Sequence, residues 1–163
     1  MKRFRLLTLA ALAAACTNYV DVPTRNLVEQ ATVYVAPDDS HVLVAVLSLE
    51  NTGPTPLEIM WSLDCVGNGP VRVRAYRATG AATTLAWDSA RLPFIACPTA
   101  AHRDTIMPAG IKAFQARIPM AAILGDSLPA ANYRFTVLAA LLAPALPNEV
   151  EAGSVALIAA SAP

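Results

Sequence analysis

Short apolar segments of period two, separated by clusters of proline, glycine and asparagine, constrain the fold of this chain more than any other feature. Residues 132–137 (NYRFTV) alternate polar and apolar side chains, and residues 114–118 (FQARI) do the same. Successive side chains of a strand point to opposite faces, so each alternation predicts a half-buried strand. Repeated short strands with turn signals between them predict an all-β antiparallel sandwich.

The same pattern places further strands and their breaks along the chain. Trp61 is expected to face the core from one strand, and Trp87 lies on a shorter one. Residues 89–105 are irregular in pattern, and the alanine-rich residues 138–146 are compatible with a short helix. The remaining predicted strands cover residues 32–35, 41–50, 57–63, 71–76, 84–88 and 154–160.

Composition narrows the class of protein. The chain has 163 residues, of which 55% are hydrophobic and 15% charged, and its formal net charge is zero. An apolar content this high excludes a disordered chain. Zero net charge excludes a polycationic protein that binds nucleic acid by neutralising phosphates. The length fits one domain.

The first fifteen residues have the pattern of a secretory signal peptide. Lys2, Arg3 and Arg5 precede a ten-residue apolar run, LLTLAALAAA, which ends in small residues before Cys16. A membrane-spanning helix needs about 20 apolar residues, so this run is too short to be one. We therefore expect it to direct export and to be removed.

The segment LAAAC, residues 12–16, resembles the bacterial lipobox, although Ala13 stands where leucine is usual. The resemblance implies cleavage before Cys16 and lipidation of that cysteine, and Thr17 implies sorting to the outer membrane. The alternative is a plain cleaved signal with Cys16 as an incidental thiol. The predicted organisation is a signal peptide at 1–15, a tether at 16–30 and a sandwich of about seven to nine strands at 31–163.

Two further cysteines remain, Cys65 and Cys97. An even pair in an exported protein predicts a disulfide, which would add about 3 to 4 kcal/mol of stability. The rival interpretation, a metal site, is disfavoured because neither a CxxC motif nor cysteine–histidine ligand spacing is present. We expect no metal and no cofactor.

Four segments together resemble a bacterial immunoglobulin-like group named BsuPI-like, after an intracellular proteinase inhibitor. They are residues 47–57, 86–88, 106–114 and 128–137. The resemblance implies an immunoglobulin-like sandwich, in which Tyr133 would form a tyrosine corner by bonding back to nearby backbone. Ala131 departs from the glycine that the group favours, and an intracellular inhibitor lacks the export signal and disulfide expected here.

Motifs that could carry catalysis lack their partners. Residues 125–128 spell GDSL, but no histidine follows Ser127, because His41 and His102 both precede it. A serine nucleophile needs a base within hydrogen-bond reach, so a turn is the better interpretation. The triplet at residues 102–104 (HRD) matches a kinase motif by letters alone, without the glycine-rich loop or DFG.

Arg72, Arg74 and Arg77 lie close together on one predicted strand, with the first two on one face. They could contact an anionic partner, although charged side chains in such a pattern more often lie on a solvent-exposed face without a partner.

These observations favour a lipid-anchored envelope protein whose sandwich is a non-catalytic binding or structural module. It would contact the membrane through its anchor and bind an envelope protein, not nucleic acid. One alternative is a proteinase inhibitor that presents residues 89–105 to a protease cleft as an extended strand. The less favoured alternative is a GDSL-type hydrolase acting through Ser127.

Overall fold

The structure is a computed structural model that describes residues 26–62, 69–79, 82–91, 101–125, 128–144, 146 and 148–158. Cys16, Cys65, Cys97 and Ser127 lie outside the described residues. Lipidation, the disulfide and the GDSL serine therefore stay predictions from the sequence.

The described chain is almost entirely extended. One short helix, α1, covers Met120–Leu124, and a 3-10 turn covers Ser89–Arg91. The strands are β1 (Leu27–Ala36), β2 (Asp39–Asn51), β3 (Leu57–Ser62), β4 (Val71–Thr79), β5 (Ala82–Asp88), β6 (Ala101–Ile106), β7 (Ile111–Pro119), β8 (Ala131–Ala139), β9 (Leu141–Ala143) and β10 (Val150–Leu157).

Two larger antiparallel sheets form the body of the domain. The first has the order β1-β2-β7, and the second has the order β10-β8-β4-β5. Pairing of β2 with β7 on one sheet, and of β8 with β4 and β10 on the other, is the arrangement of an immunoglobulin-like sandwich. β10 carries a bulge between Glu151 and Gly153, where Gly153 adopts a φ of 108° that residues with a side chain rarely take.

A third sheet has the order β6-β3-β9, and we call it the small sheet because its three strands are shorter than those of the first sheet. β6 runs antiparallel to β3, with Leu57 opposite Ile106 and Ser62 opposite Ala101. β9 follows β8 after one residue, and the Ala140 N–H donates to the Pro70 carbonyl at 2.7 Å. The small sheet therefore lies beyond the ends of β4 and β8.

The core lies between the sheets. Leu43, Leu47 and Leu49 of β2 belong to the same apolar cluster as Tyr133 and Phe135 of β8, and all five are fully buried. These side chains occupy alternate positions of their strands, as the period-two pattern requires. Burial of this set is the main source of stability, because apolar area removed from water is the dominant favourable contribution to folding.

The predicted fold class, an all-β antiparallel sandwich, is confirmed, but the described residues form ten strands rather than seven to nine. The additional strands come from the small sheet. Residues 101–106, expected to be irregular, form β6, and residues 141–143, expected to be helical, form β9. β1 begins at Leu27, four residues before the predicted domain start, because Leu27 to Gln30 pair with β2.

Candidate functional surfaces

A buried asparagine joins three segments at one end of the sandwich. Asn51 is the last residue of β2 and is 1% exposed. Its Nδ2 donates to the carbonyls of Thr55 at 2.8 Å and Ile106 at 2.9 Å, and its Oδ1 accepts from the Gly53 N–H at 2.9 Å. Its backbone N–H donates to Gly110 at 3.0 Å and its carbonyl accepts from Ala109 at 2.8 Å. The polar groups of Asn51 are thus all satisfied, as burial requires.

The start of the described chain is fastened to the same place. The carbonyl of Asn26 accepts from the Thr52 N–H at 2.7 Å and from Thr52 Oγ1 at 3.1 Å. A Cβ added to Gly53 would lie 2.7 Å from Asn26 Nδ2, so only glycine fits here without a shift of Asn26. We call residues 26, 51–55 and 106 the Asn51 junction.

The turn between β6 and β7 projects from this junction. Met107 is 59% exposed and Ile111 is 67% exposed, which makes them the two most exposed of the large apolar side chains described. The Gly110 N–H donates to the Met107 carbonyl at 2.8 Å, and Ala109 adopts a φ of 57°. Hydrogen bonds from the junction hold this turn, residues 107–111, which we call the apolar tip.

The outer face of the second sheet carries a group of ion pairs. Arg72 donates to Asp88 through Nε at 2.9 Å and through Nη2 at 2.7 Å. Arg74 Nε also donates to Asp88 Oδ2, at 3.0 Å, and the Ala90 N–H donates to Asp88 Oδ1 at 2.9 Å. Asp88 is a buried carboxylate compensated by two guanidinium groups, the arrangement that makes such burial tolerable.

Glu149 extends this group to β8. It accepts from Arg74, from the Tyr76 hydroxyl at 2.7 Å and from Thr136 Oγ1 at 2.7 Å. We call these residues the outer-face network: Arg72, Arg74, Tyr76, Asp88, Thr136 and Glu149. Arg72 and Arg74 share a face, as predicted, but they are bound to carboxylates and do not form a free basic patch.

The network changes the acidity of its two carboxyl groups. Burial of Asp88 favours its neutral form, but the bonds from Arg72, the Ala90 N–H and Arg74 outweigh burial and hold its pKa far below the ordinary value. Burial likewise opposes ionisation of Glu149, and the bonds from Tyr76, Thr136 and Arg74 outweigh it, so its pKa is lowered as well. Both groups are carboxylates at neutral pH.

Aromatic and charged side chains from β3, β6 and β7 form a cluster. The Trp61 ring stacks on His102 with centroids 4.7 Å apart and meets Phe114 edge-on at 5.4 Å. Trp61 Nε1 donates to Asp104 Oδ2 at 3.0 Å, and Lys112 Nζ donates to Asp104 Oδ1 at 3.0 Å. Trp61 is half-buried against the core, and its indole links β3 to β6 and β7.

One carboxyl group faces the core without a full set of partners. Glu29 shares the inner face of β1 with Leu27 and Ala31, and its Oε2 is buried with no hydrogen-bond partner. Burial raises its pKa above the ordinary value. Glu29 was not singled out in the sequence, because alternation alone does not reveal which face of β1 is covered.

The other residues identified in the sequence have structural positions. The Tyr133 ring is fully buried and its hydroxyl donates to the Pro129 carbonyl at 2.9 Å, the bond that defines a tyrosine corner. Trp87 is half-buried against the core from β5. His41 is exposed near the start of β2. His102, on β6, stacks against the ring of Trp61 on β3.

Sequence reasoning missed the part played by Asn51 and by Asp88. Asn51 and Gly53 stood within the segment that resembles BsuPI-like domains, which was the one available signal. Asp88 ends β5, and only the register that places it opposite Arg74 reveals its partners.

Within the described residues, no group of three or more histidine, cysteine, aspartate or glutamate side chains is arranged to hold a metal ion. No helix in the same part of the chain has the length and apolar character needed to cross a bilayer.

Comparisons with known proteins give structural neighbours of low similarity. No protein family and no curated protein matches the sequence. A β-glucosidase from Erythrobacter marinus is 11% identical with a TM-score of 0.44, covering 81% of this chain and 15% of that one. β-Glucosidase 3B from Thermotoga neapolitana is 16% identical with a TM-score of 0.40, covering 80% of this chain and 16% of that one. At such scores the likeness carries no argument about activity.

Proposed function

We propose that this chain is a lipid-anchored protein of the bacterial envelope whose sandwich is a non-catalytic module for binding another envelope protein. Cys16 carries the lipid, and the resemblance to BsuPI-like domains supports the immunoglobulin-like module. Stable attachment requires more than one acyl chain, because a single chain gives only marginal binding.

The observation that carries the proposal is the Asn51 junction. Asn26, ten residues after Cys16, is bonded to Thr52, and the neighbouring Asn51 is bonded to Ala109 and Gly110. The tether therefore joins the domain at one fixed end. That arrangement suits an anchored binding module, because the outer faces of the two larger sheets take no part in the attachment.

Asp88 and Glu149 of the outer-face network do not have the properties of a general acid–base pair. Asp88 and Glu149 accept hydrogen bonds from Arg72, Arg74 and Tyr76, and the lowered pKa of each carboxyl keeps it ionised. A general acid or base needs a pKa near the operating pH, and neither carboxyl has one.

Photo-crosslinking in intact cells tests the proposal. The mature chain would contain one lysine, Lys112, which is paired with Asp104, so lysine-directed reagents are unsuitable. A photoreactive amino acid is better placed at Thr83, on β5 at the edge of the second sheet as described, or at Tyr34, on the outer face of the first sheet. Each tagged full-length variant is irradiated, and the captured proteins are identified by mass spectrometry.

We expect one position to capture a specific envelope protein, and the same variant carrying Cys16→Ala to lose that product. A protease as the specific product would favour the inhibitor alternative. Ester hydrolysis by the wild-type protein that disappears in Ser127→Ala would favour the hydrolase. Either result would replace the binding-module proposal.

We also propose a disulfide between Cys65 and Cys97. Ser62 pairs with Ala101, so the segment containing Cys65 leaves β3 beside the point where the segment containing Cys97 joins β6. Cys65 is three residues beyond Ser62 and Cys97 is four before Ala101. Each residue extends at most about 3.6 Å, which lets both cysteines reach a common point.

Thiol labelling tests the disulfide. The unfolded, unreduced protein should take up no alkylating reagent at Cys65 or Cys97, and should take up two equivalents after reduction. Uptake without reduction would contradict the pairing. Cys65→Ser and the double variant with Cys97→Ser should lose the same stability, because either change opens the bridge.

A further inference from the structure

We infer that the apolar tip, residues 107–111, contacts the lipid surface to which the chain is anchored. This inference rests on the proposed lipidation of Cys16 and adds a second point of membrane contact. It concerns Met107 and Ile111, whose exposed apolar side chains project from the end of the domain that receives the tether.

The tip and the tether lie at the same end of the molecule. Asn26 is bonded to Thr52, and the neighbouring Asn51 is bonded to Ala109 and Gly110. The tether therefore joins the domain at Asn26, whose bonding partner Thr52 is the neighbour of the residue that holds the tip. An anchored domain carries this end toward the bilayer.

The length of the tether limits the orientations that remain. Ten residues separate Cys16 from Asn26, and such a segment spans at most about 36 Å even when fully extended. β2 runs from the far end to Asn51 over 13 residues, which corresponds to about 40 Å. The tether is too short to let the domain invert and present its far end to the membrane.

The charge of the tip suits a lipid surface. Lys112 is the one charged residue in the segment 106–113, and it is paired with Asp104 at 3.0 Å. Glu50 lies opposite Ile111 in the register and is half-buried. The carboxylate of Glu50 limits the contact to the outermost part of the tip, at the level of the lipid headgroups. Shallow insertion of exposed apolar side chains is typical of interfacial binding.

The tip is also rigid, which favours insertion because little conformational freedom is lost on binding. Three backbone hydrogen bonds fix it, from Ala109 to Asn51, from Asn51 to Gly110 and from Gly110 to Met107.

A photoreactive amino acid at position 111 tests the inference in the full chain. The purified protein is reconstituted in vesicles of phosphatidylethanolamine and phosphatidylglycerol, irradiated and examined for lipid adducts by mass spectrometry. The matched control is position 158. Ile158 is 45% exposed and follows Leu157, which pairs with Ala131 near α1 at the far end. We expect about tenfold more lipid adduct at 111 than at 158, since burying an apolar photoreactive side chain about the size of isoleucine favours the bound state at least that strongly.

A second pair of variants repeats the test with the photoreactive residue at position 107. There, Ile111→Asn should remove most of the adduct, whereas Ile158→Asn should leave it unchanged. The two isoleucines are 67% and 45% exposed, and asparagine adds no charge beside Glu50, which lies opposite position 111.

The outcomes separate this inference from the proposed function. An intact mass without acyl chains refutes the anchor. Acylated protein with equal or no adduct at positions 111 and 158 refutes the contact while leaving the anchor in place. Adduct confined to position 111 in acylated protein supports both.

Discussion

The Asn51 junction and the outer-face network both join strands that are distant in the sequence, but they do so with different chemistry. The junction is built from a neutral, buried amide and backbone groups, and the network is built from guanidinium and carboxylate groups at the surface of a sheet. Neutral hydrogen bonds do not respond to pH or salt, whereas ion pairs respond to both. The junction should therefore hold its end of the domain together at acid pH or high salt, conditions that loosen the outer-face network.

Replacing Asn51 should have the largest effect on stability. Asn51→Ala removes three side-chain hydrogen bonds and leaves the Ile106 carbonyl buried without that partner. We expect a loss of about 3 kcal/mol in the free energy of unfolding, measured by urea denaturation, with the same loss at pH 5 and pH 8. The control is Asn132→Ala, at an exposed position of β8. A loss below about 1 kcal/mol would show that the junction is not a structural centre.

Asp88→Asn should have a smaller effect that depends on pH. The variant weakens the bonds to Arg72 and Arg74, whose side chains are 36% and 23% exposed, so solvent moderates the loss. We expect about 2 kcal/mol at pH 7. The folded pKa of Asp88 lies below that of the unfolded chain, about 3.9, so the wild-type advantage is complete above about pH 5 and declines as the pH falls below 4.

Urea denaturation between pH 7 and pH 2 measures this decline, and the difference between wild type and Asp88→Asn should narrow at the acid end. A difference that stays constant over that range would contradict the ion-pair account. Glu58→Gln, at an exposed position of β3, is the control for a change of carboxylate to amide.

Tyr133→Phe extends the comparison to a second neutral bond. The change keeps the buried ring and removes only the bond to the Pro129 carbonyl. We expect a loss of about 1 kcal/mol in thermal or urea unfolding, independent of pH and salt between pH 5 and pH 8. Tyr34→Phe, at a 42% exposed position, should have no measurable effect. A loss at Tyr133 that changed with salt would show that the bond is not acting as a neutral one.

Glu29→Gln should have the smallest effect, and of the opposite sign. Burial raises the folded pKa of Glu29 above its unfolded value, so the wild-type protein loses stability as the pH rises through the interval between the two. At pH 7 the variant should be more stable by up to about 1 kcal/mol, because it no longer buries part of a charge. At pH 4 the two proteins should unfold alike. Destabilisation at pH 7 would indicate that Glu29 has a partner in solution.

The sequence predicted those parts of the fold where one face of a strand is uniformly apolar. Residues 133, 135 and 137 all point inward from β8, as the alternation required. β6 was missed because its inner-facing side chains at positions 102 and 104 are polar, His102 and Asp104, which hides the pattern. α1 was missed because five residues are too few to show a helical period.

The candidate surfaces were less predictable than the strands. The shared face of Arg72 and Arg74 followed from alternation, but Glu149 lies 75 residues from Arg74 and no local pattern connects them. Asn51 bonds to Ile106 across 55 residues. Contacts of this kind depend on register and on the packing of whole sheets, which a single sequence does not display.

The intact mass of the protein extracted from bacterial membranes tests most directly whether the domain is anchored by a lipid on Cys16. We expect a chain that starts at Cys16, carries acyl groups, and is two hydrogen atoms lighter than its reduced form because of the Cys65–Cys97 disulfide. A chain that retains an unmodified Met1, or starts at Cys16 without acyl groups, would contradict it.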